Sequence, residues 1–257
     1  MRRIAIIGSG NLAEALALAV ARSDRELVQL FARNPQRGPE VARMAGTTWT
    51  DDPAAIAEAD LYIFAVSDRA VAELAATLPL PAEAIVAHTA GSVPLDALGR
   101  FARRAVIYPL QTFTKGRAVD FSQIPLFLEA PAPELYAEVE EFARSLTRTV
   151  RRAGSAERAR IHLAGVFACN FVNAMYAAGQ RMLDGAGAEF DLLKPLIAET
   201  AAKACGAAAP ADVQTGPAVR GDLATQERHE ALLEGDETLK TIYKTISRNI
   251  WETSKKR

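Results

Sequence analysis

Gly8-Ser9-Gly10-Asn11-Leu12-Ala13 is the stretch with the most specific chemical meaning. It fits G-x-G-x-x-A, lies directly behind the apolar run Ile4–Ile7 and opens a segment of helical period. In that setting Gly8 permits a tight turn, Gly10 leaves room for a pyrophosphate against the backbone, and Ala13 lets helix and strand approach. The free N–H groups and positive end of the helix then face the phosphates. Gly8, Ser9, Gly10, Asn11 and Leu12 are therefore expected to cradle a dinucleotide.

The next apolar run specifies which one. "LVQLFARNPQR" places Arg33 where an NAD-preferring site carries Asp or Glu for the ribose 2′-hydroxyl, with Asn34 beside it and Arg37 nearby. A carboxylate repels a 2′-phosphate, whereas a guanidinium pairs with it through two hydrogen bonds. NADP(H) is the expected cofactor, with Arg33, Asn34 and Arg37 at its adenosine end. Val66, Ser67 and Asp68 of "FAVSDRAV" are expected against the ribose on the nicotinamide side; a plain helix cap is the alternative for Ser67 or Asp68. "AHTAGSV" brings His88 and Thr89 to the carboxyl edge of the sheet, where ligands bind in such folds. His88 either touches cofactor or substrate there, or is a satisfied strand-end histidine.

Two later stretches carry the remaining candidates. "IHLAGVFACNFVNAMYAA" is apolar around most of its circumference and reads as a helix buried on all sides. His162, Asn170 and Asn173 interrupt it, within an arc of about 80° at about 100° per residue. A buried amide or imidazole needs a hydrogen-bond partner, so such a stripe faces another helix, water or a ligand. His162 and Asn173 lie about 16 Å apart along the axis, so only one end reaches a reacting atom. His162 is nominated as general acid, Asn170 as the group holding the substrate carbonyl, and His88 as the reserve acid; a structural network or subunit interface is the competing reading. In "QTGPAVRGDLATQERH", Arg220 is expected to anchor a substrate carboxylate, Asp222 reads as a helix cap and His229 as a surface residue.

The elements positioning these residues alternate over the first half. Strands are predicted at Arg3–Ile7, Leu27–Ala32, Thr47–Thr50, Leu61–Ala65, Ile85–His88, Ala105–Tyr108, Leu126–Glu129 and near Thr149–Arg152. Helices are predicted at Leu12–Arg22, Gln36–Met44, Ala54–Glu58, Arg69–Thr77 and Pro133–Leu146. That alternation predicts an α/β fold, a doubly wound and mostly parallel Rossmann sheet. From Ser155 no strand pattern remains, and four helices are expected. The expected domains are a dinucleotide-binding one, residues 1–153, and a helical substrate and dimerisation one, residues 154–257.

Composition excludes several classes. A net charge of −1 offers no electrostatic footprint for nucleic acid or an anionic membrane. Cys169 and Cys205 lie in no CxxC or Cys/His cluster, so they read as two buried thiols, with no metal site and no disulfide framework. "MRR" runs straight into the first strand without an apolar leader, which predicts a cytoplasmic protein. The polar residues of the long helix and its unsuitable flanks argue against a membrane span.

Together "GSGNLA", "ARN", "HTAGS", "YPLQTF", "HLAGVFACNF" and "TGPAVRGD" resemble the bacterial Rossmann-like oxidoreductases whose second domain is a helical module of unknown function. The chain is more distantly similar to pyrroline-5-carboxylate reductases and β-hydroxyacid dehydrogenases. The resemblance implies NADP-dependent hydride exchange with a small carboxylate-bearing substrate, ketopantoate among the candidates, and a homodimer formed through the helical domain. The chain departs from the distant relatives in lacking both a lysine on the long helix and a glycine-, serine- and threonine-rich imine loop. The expected function is NADPH-dependent reduction of a small oxo acid. Reduction of a pyrroline-carboxylate-type imine, or a non-catalytic NADP-binding sensor or assembly module, are the alternatives.

Overall fold

The apolar runs of the first half pair into one eight-stranded sheet in this computed structural model, which describes residues 1–255. The strands are β1 (Arg3–Ile7), β2 (Glu26–Phe31), β3 (Thr48–Thr50), β4 (Leu61–Phe64), β5 (Ile85–His88), β6 (Arg104–Pro109), β7 (Leu126–Glu129) and β8 (Val150–Arg152). Their order is β3-β2-β1-β4-β5-β6-β7-β8. All neighbours are parallel except β6 and β7. The crossovers are helices α1 (Asn11–Ala21), α2 (Arg37–Ala45), α3 (Asp68–Thr77) and α4 (Pro133–Leu146).

Both faces of the sheet are covered, which is why its strands are apolar at successive positions rather than alternating with polar ones. Ile4, Ile6 and Leu30 pack with Leu16 of α1, Val41 of α2 and Phe142 of α4. Ala5, Ile7 and Phe64 point the other way, onto Val71 of α3 and Phe101. Chain order reverses at β1, which lies between β2 and β4, so the crevice of a doubly wound sheet opens beyond its carboxyl end.

The helix predicted at Ala54–Glu58 is instead a single 3-10 turn, Pro53–Ala55, started by Asp52, whose side chain accepts from the Ala54 N–H. Side chains of neighbouring strands take over the backbone groups a helix would have used. The Gln29 amide oxygen accepts from the Ala57 N–H at 2.7 Å, and the Tyr62 hydroxyl bonds the Ala59 N–H and the Ala57 carbonyl, both at 3.0 Å.

The chain divides into two compact units, Met1–Asn170 and the residues from Phe171 onward. This division falls later than the change of texture after residue 153, because α5 (Ser155–Gly165) is tied into the first unit by Arg158 and Glu129. A π-helical segment, Val166–Phe171, comes next, then α6 (Val172–Gly185). The second unit continues with α7 (Lys194–Gly206), the short α8 (Pro217–Arg220), α9 (Leu223–Leu232) and α10 (Glu237–Ser254). Asp222 and Asp236 cap α9 and α10 by accepting from the N–H groups of Thr225 and Leu239.

The long helix is not buried on all sides. The run Ser155–Gly185 spans 31 residues, is long and apolar enough to cross a membrane by length and composition, and none of its most apolar window is buried within the chain. Leu163 is 54% and Phe167 61% exposed. The apolar pattern of this run is not matched by burial within the chain. The thiols also differ from expectation: Cys169 is half-buried and Cys205 exposed.

Candidate functional site

The turn after β1 opens onto a cleft of about 410 Å³ at the carboxyl edge of the sheet. Gly8, Ser9, Gly10, Asn11 and Leu12 form one wall. Arg33 and Asn34 come from the end of β2, and Val66 and Ser67 from the end of β4. Gly8 has φ of +128°, and a Cβ there would collide with the Ala65 carbonyl, so no other residue fits this turn. A Cβ on Gly10 would meet nothing within 4 Å: the backbone faces open space where a diphosphate has room. No side chain caps the start of α1, leaving its amino end to a ligand. Ala13 is fully buried where α1 crosses the strand.

The residues flanking this cleft have different fates. Asn11 donates its amide to the Phe113 carbonyl at 3.0 Å, fastening the loop after β6 over the start of α1. Arg33 is exposed at the cleft. The Asn34 side chain accepts from the N–H groups of Gln36 and Arg37 at 3.0 and 2.9 Å, shaping the entry to α2. Arg37 is not brought to the cleft. Its guanidinium pairs with Glu14, a buried carboxylate on α1, and with Glu40 at 2.7 Å. Ser67 occupies the cap position of α3 without a side-chain cap bond. Asp68 accepts from the Ser92 hydroxyl. Thr89 turns inward, its hydroxyl donating to the Phe64 carbonyl at 3.1 Å.

His88 is wholly buried and takes no part in the cleft. Its Nδ1 accepts from the Ala90 N–H at 3.2 Å, and its Nε2 faces the Pro94 carbonyl at 3.4 Å. Burial, then the nearby Arg158 charge, pushes its pKa down to about 4. A neutral imidazole with both nitrogens engaged has no proton to lend, which removes His88 as reserve acid. It cross-braces its own loop.

That loop is the seat of a second constellation. His162, on α5, sets its Nδ1 3.1 Å from the Tyr108 hydroxyl at the end of β6, the two rings edge to face. Gly91 makes this possible: a Cβ there would lie 2.7 Å from His162 Nδ1. Burial, reinforced by the Asp68 carboxylate, raises the Tyr108 pKa, so its hydroxyl stays protonated beside the ring. Residues from "HTAGS", "YPLQTF" and "HLAG" thus meet in one place at the carboxyl edge.

Asn170 is exposed in the π-helical segment, in a different setting from His162. The common stripe assumed an unbroken α-helical phase, whereas each i→i+5 turn carries an extra residue and rotates the side chains beyond it. Arg220 is exposed at the end of α8, in the second unit. There His229 does not lie bare: its Nδ1 meets the Tyr243 hydroxyl at 2.9 Å beside an apolar cavity of about 380 Å³ that also has Met175 and Ile246 in its wall.

Sequence reading passed over Tyr108 as a site residue and missed Arg158 altogether. Arg158 heads the largest fully buried side chains of the described residues. Its Nη1 donates to Glu129 and its Nη2 to the Val93 carbonyl. The available signal was spacing, since Ser155, Arg158 and His162 share one helix face.

Comparison with known proteins then places the chain. Residues 3–91 match a family model described as NADP oxidoreductase, coenzyme F420-dependent, and residues 124–250 match a domain of unknown function, DUF2520. The "putative NADP oxidoreductase BF3122 from Bacteroides fragilis" is 39% identical over 98% of both chains, with a TM-score of 0.91. The chain belongs to this family of NADP oxidoreductases. Two other solved structures share the fold. A reductive aminase from Aspergillus terreus, in complex with NADPH and ethyl-5-oxohexanoate, is 16% identical over 100% of this chain and 93% of its own, with a TM-score of 0.69. An imine reductase from a Pseudomonas species is 16% identical over 91% and 86% of the two chains, with a TM-score of 0.63. No curated protein matches the sequence.

The residues of this NADP oxidoreductase fit its cofactor. The open backbone at Gly10 and the uncapped helix end suit the diphosphate. The described end of β2 offers Arg33 and no carboxylate in the cleft wall against an adenosine phosphate.

Proposed function

We propose that this oxidoreductase reduces a small oxo acid, ketopantoate-like in size, with NADPH, using the His162–Tyr108 pair as its proton donor. The observation carrying this reading is the hydrogen bond between His162 and Tyr108 on the Gly91 seat, at the edge where a doubly wound sheet binds its ligands. The cofactor supplies the hydride to the substrate carbon. In the protonated form of the pair, His162 gives its Nε2 proton to the oxygen that becomes the alcohol and is left as a neutral ring, which Tyr108 holds in place at Nδ1. Arg220 is the proposed anchor for the substrate carboxylate. Arg33, with Asn34 shaping the turn, recognises the 2′-phosphate.

A second reading, reduction of an imine, has its own support. Arg158 beneath the pair is already engaged by Glu129, and the carboxylate beside the pair is Asp68, a setting that favours a cationic substrate over an anionic one. The fold likeness to imine reductases and a reductive aminase points the same way.

We assign the uncovered face of Ser155–Gly185 to a second copy of the chain in a cytoplasmic homodimer. A membrane span is disfavoured because α5 is held to β6 through Tyr108 and to β7 through Glu129. The deciding experiment monitors NADPH oxidation with ketopantoate, related oxo acids and cyclic imines, in wild type and His162→Ala. Turnover on one class that falls at least about 100-fold in the variant supports the assignment; an unchanged rate removes His162 from the chemistry.

A further inference from the structure

We propose that Arg158 and Gly91 are the positioning residues of the His162–Tyr108 pair: the buried guanidinium fixes the helical turn that carries His162, and the bare glycine gives its ring a seat. This rests on the reading of that pair as the proton donor.

Arg158 lies one turn before His162 on the same face of α5 and is completely buried. Its planar fork spans two elements, a carboxylate at the end of β7 (Glu129) and a carbonyl in the loop after β5 (Val93). Ser155 completes the clamp: its hydroxyl lies 2.9 and 3.0 Å from the Glu129 oxygens and accepts from the Leu95 N–H at 3.2 Å. The same loop is braced from within by His88 against Pro94 and from α3 by Asp68 on Ser92. Gly91 sits between these braces, so loop and helix cannot shift independently around the ring.

A fold that needed only cohesion here had a simpler solution, since well-packed apolar side chains replace a buried ion pair at little or no cost in stability. What the pair adds is direction. A guanidinium reaching both a carboxylate and a carbonyl sets distance and angle together, which a lysine, as a point charge on a flexible stem, does not. An error of about 1 Å in a reacting group costs about 100-fold in rate.

The test uses the full chain with Arg158→Lys, the apolar exchange Glu129→Leu/Arg158→Met, and Gly91→Ala, which adds one methyl group against the ring and touches no ion pair. Three readouts are taken: NADPH affinity by titration, kcat against KM, and the ring-nitrogen signals of the three histidines in 15N-histidine-labelled protein. We expect the folded variants to bind NADPH within about twofold of wild type, to shift the His162 signal, and to lose about 100-fold in kcat with little change in KM. Lysine does not rescue. Gly91→Ala keeps the proposal exposed even where the Arg158 variants fail to fold. A folded variant whose His162 signal and kcat both match wild type overturns the positioning role. A shifted His162 signal with an unchanged kcat upholds the positioning and overturns the proton-donor reading instead.

Discussion

Each unit of the chain holds one histidine against one tyrosine, and the two pairs are almost the same object. His162 and Tyr108 approach to 3.1 Å with ring centroids 5.9 Å apart; His229 and Tyr243 approach to 2.9 Å with centroids 5.7 Å apart. Their surroundings are unlike. The first pair sits at the carboxyl edge of the sheet, on a glycine, with the buried Arg158 guanidinium and its Glu129 partner one helical turn away and the Asp68 carboxylate nearby. The second lies in the wall of an apolar cavity that methionine, leucine, isoleucine and alanine side chains help to line. Identical local chemistry therefore says little about function. What distinguishes a proton donor from a well-satisfied packing pair is the electrostatic frame and the place in the topology.

The largest break in the symmetry is expected from the tyrosines. Tyr108→Phe should lower kcat by about 100-fold or more, whereas Tyr243→Phe leaves kcat within about threefold; steady-state NADPH oxidation at saturating cofactor separates the two. A smaller effect tests the cofactor end. Arg33→Asp should weaken NADPH by about 10- to 100-fold, the scale of a charge-assisted pair, and improve NADH relative to it. Arg37→Ala should leave that preference intact while lowering stability by about 3 kcal/mol, because it strands the buried Glu14 carboxylate; denaturant unfolding checks it.

Acid should destabilise the first unit through His88. Its folded pKa of about 4 lies below the value of 6.5 for a free imidazole, so only the unfolded chain binds a proton between them. Stability contributed by the neutral ring is complete above pH 6.5 and declines as pH falls toward 4, by about 1.4 kcal/mol per pH unit at most. His88→Asn should flatten that part of the profile. The smallest effect is the second pair's own: Tyr243→Phe should cost about 1 kcal/mol in unfolding free energy, one hydrogen bond, with no change in NADPH affinity.

Much of the first unit was legible because its signals are local. An apolar run, a glycine turn and an uncapped helix start specify the cradle within a dozen residues, and strand-length apolar runs place the sheet. Long-range pairings were not legible. Arg158 in "SAERARIH" looks like any solvated helix arginine until β7 brings Glu129 to it. Arg37 looks like a phosphate ligand until α1 presents Glu14. His88 stands at a strand end suited to contacting ligands, yet the loop folds back and closes over it. The long helix was read from its composition as buried, although composition specifies only that something must cover it.

The central claim is that the pair on Gly91 moves the proton and the pair in the apolar cavity does not. Single-turnover NADPH oxidation of His162→Ala and His229→Ala, each with cofactor affinity measured on the same preparation, tests it most directly. The account predicts unchanged NADPH affinity in both, a fall of about 100-fold or more for His162→Ala, and a near wild-type rate for His229→Ala. Equal rates in the two variants would contradict it.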